Sequence, residues 1–203
     1  MVQRQPLRWK TPHPHSWWLH AAAWLCAVEG SAILEFSITI PLLVVFVVGI
    51  YDFSGAFNQK QKIEQAAQEG AIVAGGQQTT DINSSNPDSL LAVVTAVFNS
   101  LAASNVIPSG ACPPPWPVAN SGLTWTYTIT GCNGSYPGDN LVITINRGWV
   151  VASSAGPWVV GTVVTVTYPY HWRFNSVIQL LIPGASYQAT TYLTESATVH
   201  NQM

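Results

Sequence analysis

Apolar residues run from Phe36 to Ile50 as Phe-Ser-Ile-Thr-Ile-Pro-Leu-Leu-Val-Val-Phe-Val-Val-Gly-Ile without a charge, with Ser31-Ala-Ile-Leu34 and Glu35 ahead of them. Taken from Ser31, the run is long enough to cross a hydrocarbon core of roughly 30 Å at about 1.5 Å per helical residue. Past Ile50 the pattern becomes one-sided. Phe53, Phe57, Ile63, Ala67, Gly70, Ala71 and Ala74 recur at near-helical spacing, while Gln59, Lys60, Lys62, Glu64, Gln65, Gln68 and Glu69 take other faces. This predicts that the membrane helix continues as an amphipathic one and stops at Gly75-Gly76. From Ser31 to Ala74 it would be roughly 65 Å long, its second half laid against a head. Pro41 removes a backbone hydrogen bond and predicts a kink inside the membrane. The small residues Ala66, Ala67, Gly70 and Ala71 are expected to pack against the head, an intersubunit face being the alternative.

A second helix is expected from Asn86-Pro87 to about Ser104, with the Asn as cap and the Pro in its first turn. Leu90, Leu91, Val94, Val97, Phe98 and Leu101 give it an apolar face. Pro108, Pro113, Pro114, Pro115 and Pro117 then mark a surface loop. After it the period becomes two: Leu123, Trp125, Tyr127 and Ile129 alternate with threonines, as in a half-buried strand. Leu141 to Arg147, Thr162 to Tyr170 and Tyr187 to Val199 read as three more strands, and Phe174 to Ile182 as a short apolar helical insert or loop. The expected fold class is α+β: a long N-terminal transmembrane helix continuing into a head, which holds a second helix and an antiparallel sheet of about four strands.

Hydrophobic residues make up 48% of the chain and charged ones 8%, unlike an ordinary soluble domain. From Ser31 onward the cations are Lys60, Lys62, Arg147 and Arg173, outnumbered by acids, so no basic stripe exists for nucleic acid. Of the histidines, His13, His15 and His20 precede the apolar run, which leaves His171 and His200 too few to build a metal site or a triad. His171 is expected to be an exposed sheet-edge residue, and nothing in the sequence pairs Asp139 or Glu195. No catalysis, metal or cofactor is expected. Arg4, Arg8 and Lys10 before the apolar run favour an amino terminus on the cytoplasmic side. Cys112 and Cys132 then fall in the exported part, where a disulfide between them is expected, two unpaired thiols being the alternative. Trp125 belongs to an alternating strand and is assigned to the core, whereas Trp116 and Trp158 stand beside prolines or glycines and are the better candidates for exposed contacts.

Glu35 is the residue that most needs a partner, because a carboxylate inside such a segment costs on the order of 3 kcal/mol. A cut after Gly30 would put a new amino terminus at Ser31, one helical turn away, and an ammonium of the same or a neighbouring subunit could neutralise it. Gly30-Ser-Ala-Ile-Leu-Glu35-Phe36, then Pro41-Leu-Leu, Gly49-Ile-Tyr-Asp52-Phe53 and Gln61-Lys-Ile-Glu64-Gln-Ala-Ala-Gln-Glu69-Gly70-Ala71, resemble the TadE-like proteins of the tight-adherence (Flp) pilus system, in one register from about Gly30 to Ala74.

The resemblance implies a minor pilin or pseudopilin. Residues 1–30 would be a cytoplasmic leader, 31–75 the transmembrane and amphipathic helix, and 76–203 an extracytoplasmic head. A dedicated prepilin peptidase would read Gly30, Ser31, Glu35 and Phe36. Other partners would be other minor pilins, the major Flp pilin and the inner-membrane assembly platform. The leader departs from the family pattern, since apolar Trp17 to Val28 and then Glu29 stand where basic residues belong. An ordinary signal peptide cut near Ala23 to Ala27, or a plain signal anchor with Glu35 snorkelling to the headgroups, fits the same residues. A membrane-anchored binding module with a tryptophan-rich head is the other functional reading.

Overall fold

The computed structural model describes residues 28–108, 112, 114–132, 136, 138–151, 159–174, 184 and 190–202. The leader before Val28, residues 175–182 of the expected apolar insert, and Trp158 lie outside the described residues. The chain divides into two compact units, one up to Val47 and one from Val48. Helix α1, Val28–Gly75, runs through Pro41 without interruption.

In the first unit, large apolar side chains point outward around α1: Ile33, Leu34, Phe36, Ile38, Leu42, Leu43 and Phe46 are all exposed. A helix apolar all round suits lipid rather than a groove of its own chain. Among the described residues, α1 is the one helix long and apolar enough to cross a membrane. Thr39 hides its hydroxyl by donating it to the Glu35 carbonyl at 2.8 Å, one turn back.

The second unit is α+β. After α1 come α2, Asp88–Ala103, and strands β1 Val118–Ser121, β2 Thr124–Thr130, β3 Asn140–Val151, β4 Val159–His171 and β5 Thr190–His200. The sheet is an antiparallel meander in the order β1-β2-β3-β4-β5. Alternation decides its two faces. Trp125, Tyr127, Ile129, Leu141, Ile143, Ile145, Val164, Val166 and Tyr168 are buried in one core with Ile63, Ala66, Ala67 and Ala71 of α1 and Leu90, Val94, Val97 and Leu101 of α2. On the opposite face Thr126, Thr144, Thr165 and Ser196 stand in one row across the strands.

The sheet has five strands where the alternation predicts about four. The extra one, β1, is Val-Ala-Asn-Ser with only Val118 partly buried. It is held by the ladder to β2, not by an apolar face, so no period betrays it. It enters β2 through Gly122, whose φ of 63° lies in the left-handed region.

The start of α2 also differs from expectation. Pro87 occupies the cap position and offers no side-chain bond. Asp81, from the preceding loop, takes over: its carboxylate accepts from Ser89 N at 2.9 Å and from Ser89 Oγ at 2.8 Å. Asn86 instead accepts the Tyr127 hydroxyl at 3.0 Å. At the other end Lys62 donates to the Ser104 carbonyl at 2.8 Å, a cation at the negative end of the helix.

Candidate functional site

The described part of α1 carries acids in two different settings. Glu35 lies in the exposed apolar stretch, and among the described residues no hydrogen bond or ion pair reaches its carboxylate. Gly30 and Ser31, the residues flanking the expected cut, lie within α1 ahead of it, and Phe36 beside it is 66% exposed.

Asp52 is the opposite case. It is 2% exposed, in phase with the buried positions Ala56, Ile63, Ala66 and Gly70 of the same helix. The Tyr170 hydroxyl donates to Asp52 Oδ1 at 2.9 Å and sits 3.0 Å from its carbonyl, and Phe174 N donates to Oδ2 at 2.9 Å. Each carboxylate oxygen therefore has a donor, which is what a buried acid requires. Burial pushes the Tyr170 phenol up to about 12, with the Asp52 hydrogen bond and charge adding to it. Gly55 lets the two elements meet, since a Cβ there would lie 2.8 Å from the Tyr170 oxygen.

Around this contact α1 and the end of β4 frame a cleft of about 360 Å³, lined among others by Tyr51, Asn58, Gln59, Lys62 and Arg173. Trp172 packs edge-on to both Phe53 and Tyr170, each at 5.1 Å. Further along, Lys60 pairs with Glu195 of β5 at 3.2 Å. Gly70 is the closest approach of all, because a Cβ there would run into Val97 Cγ2 and lie 3.3 Å from Val164 Cγ1. The small-residue stripe thus packs inside the head.

A second buried charge sits at the far end of the core. Arg147, 3% exposed, donates to the carbonyls of Gln78 at 2.8 Å and Gln77 at 2.9 Å, so that it holds the loop after α1. Burial lowers its pKa from the usual value, with the nearby Asp81 opposing. For Asp81 burial works upward, but the Ser89 hydrogen bonds and the Arg147 charge win and hold it below the ordinary carboxylate value.

Cys112 and Cys132 are joined, with Cα atoms 5.4 Å apart, tethering the proline-rich loop to the residues after β2. Trp125 is buried as expected. Trp116 is not the exposed contact its neighbouring prolines suggest: it packs on Phe98 with ring centres 5.3 Å apart and donates its indole N–H to the Cys112 carbonyl at 2.8 Å. His171 is not an exposed edge residue either: its side chain is 23% exposed, and its strand β4 lies inside the sheet between β3 and β5. Its Nε2 lies 2.7 Å from Asp139 Oδ2, and its ring stacks on Tyr136 at 3.6 Å. Among the described residues no group of three or more His, Cys, Asp or Glu is placed to hold a metal.

Asp52 stands in a sequence motif and Tyr170 and Arg147 at strand ends, and the sequence alone assigns none of the three a role. A signal existed. Both charges fall in phase with apolar positions, Asp52 with the helical stripe and Arg147 with Leu141, Ile143 and Ile145.

Residues 30–71 match the family model described as TadE-like protein. No curated protein and no solved structure matches the chain. The matched residues span Glu35, Pro41, Asp52, Gly55 and the buried Ala66 to Ala71 stripe, and they stop short of α2 and the sheet. The likeness to TadE-like proteins is carried by the segment from Gly30 to Ala71.

Proposed function

We propose that this chain is a TadE-like minor pilin or pseudopilin that takes part in assembling a tight-adherence pilus through subunit interaction. The observation that carries this reading is an acid with no partner among the described residues, five positions after Gly30, inside the TadE-like segment. A single-pass protein of the bacterial inner membrane, amino terminus inside and head in the periplasm, accommodates both the basic leader and the Cys112–Cys132 bond. In this scheme the prepilin peptidase cuts between Gly30 and Ser31, and Glu35 receives the amino terminus of a neighbouring subunit during registration. The head then meets other minor pilins, the major Flp pilin and the inner-membrane platform.

The mass of the mature protein tests this. Ser31 as first residue is the expected result; an intact Met1, or a start between Trp24 and Val28, would remove the pilin reading of the leader. A reporter fused after Met203 should be active only in the periplasm. The reading as a carbohydrate-binding module has less support, because Trp116 and Trp125 belong to the core and, among the described residues, Trp149 alone of the tryptophans, 49% exposed, stands among the large exposed hydrophobics.

A further inference from the structure

We propose that the cleft between α1 and the end of β4 holds the headgroup of one anionic phospholipid; this rests on the membrane-anchored reading above. Chemistry points to the ligand. Lys62 and Arg173 line the cleft together with the side-chain amides of Asn58 and Gln59, a set of donors suited to phosphodiester oxygens. Among the described lining residues Asp52 is the one acid, and both of its oxygens already accept protons from Tyr170 and Phe174 N. Even counting Asp52 as fully charged, the two cations leave the lining with an excess of positive charge. Lys62 donates one proton to the Ser104 carbonyl and has two others to give.

Position points to a lipid as its source. Tyr51 and Asp52, on the wall of the cleft, follow Ile50 directly, and Ile50 is the last residue of the apolar run. A bilayer that takes up the run to Ile50 brings its phosphates to this level of the chain. Tyr51 and Tyr170 in the lining and Trp172 packed on Tyr170 are the residue types that populate the membrane–water boundary. The volume, about 360 Å³, lies in the range of small-ligand sites.

The test uses the full-length chain purified in mild detergent, titrated with dioleoylphosphatidylglycerol and read by native mass spectrometry. One lipid should be retained in preference to dioleoylphosphatidylcholine. Arg173→Gln should weaken retention about fivefold, and Lys62→Gln with Arg173→Gln more than tenfold, at roughly a factor of five per cation. Lys60→Gln, whose partner is Glu195 outside the cleft, should leave it unchanged. Arg173 is exposed, so the single variant tests the site even if loss of the Lys62 cap disturbs folding. Equal retention by wild type and Arg173→Gln overturns the proposal, as does equal retention of the two lipids. Release of the lipid by millimolar inorganic phosphate also overturns it, in favour of a free-phosphate site. Carbonate extraction of membranes from the cells that express the chain separates the two levels of inference: a chain washed from the membrane sinks the anchored reading, whereas an anchored chain without bound lipid sinks only the headgroup site.

Discussion

Glu35 and Asp52 lie on the same helix, one inside the apolar run and one just past it, and the fold treats them in opposite ways. Asp52 is buried and satisfied by Tyr170 and Phe174 N, groups of the same chain brought from the end of β4 and the turn that follows it. Glu35 is surrounded by exposed Ile33, Leu34, Phe36 and Ile38, and no described residue of its own chain reaches it. An acid satisfied within its own fold contributes stability. An acid left without a partner in an apolar setting carries an unmet electrostatic demand, which another chain or a new amino terminus can meet. The contrast separates a residue that builds the head from one that no described residue of its own chain uses.

The largest expected effect on the head is that of Asp52→Ala, which strands the Phe174 amide and leaves the Tyr170 hydroxyl only the main-chain carbonyl of residue 52 as acceptor. It should cost about 3 kcal/mol in chemical denaturation, from one orphaned amide and one lost hydrogen bond to a charged group at roughly 1–3 kcal/mol each. A change below about 0.5 kcal/mol would mean that Asp52 is not the internal counterpart of Glu35. Tyr170→Phe removes one donor and keeps the ring, so it should cost about 2 kcal/mol as a hydrogen bond to a charged group.

Alkali sharpens the same point. Tyr170 and Tyr127 both have phenols raised from 10.0 to about 12 in the folded head, in each case mainly by burial. A raised acid favours its neutral form, so this stability is complete below pH 10.0 and is lost as pH climbs from 10.0 through about 12. Melting temperatures across that window should fall less steeply in Tyr170→Phe than in wild type, since of the two raised phenols Tyr127 alone remains.

The smallest effect on the head belongs to Glu35→Ala or Glu35→Gln, expected within about 0.5 kcal/mol of wild type. Membrane levels by blot should be normal, because removing the charge eases insertion. Piliation and surface adherence in a complemented deletion strain should nevertheless be lost. Normal pili at normal protein levels would break the comparison and leave Glu35 as an acid that merely reaches the headgroups.

What could be read in advance was whatever repeats locally. The helical stripe of α1 and the two-residue alternation of β2, β3 and β4 are direct images of which face is buried, and both appear in the residue order. Contacts between distant parts of the chain leave no such image. Asp81 caps α2 from outside the helix, and no local motif connects it to Ser89. Trp116 stands among prolines that mark a loop, yet the disulfide from Cys112 to Cys132 and the ring of Phe98 fold that loop onto the core. Glu35 was legible as a demand, from its apolar neighbours, although its partner was not.

The joints between α1 and the rest of the head are spread along its length, from Asp52 and Gly55 against Tyr170, through Lys60 to Glu195 and Lys62 to Ser104, to Gly70 beneath Val97 and Val164. Asp52 and Gly70 are about 27 Å apart along the helix at 1.5 Å per residue. A pull along the helix axis therefore loads these joints side by side, in shear, rather than peeling them one after another. A rod seated in this way passes axial tension into the body it carries through all of its fastenings at once, so the head resists such a pull as a unit and not contact by contact.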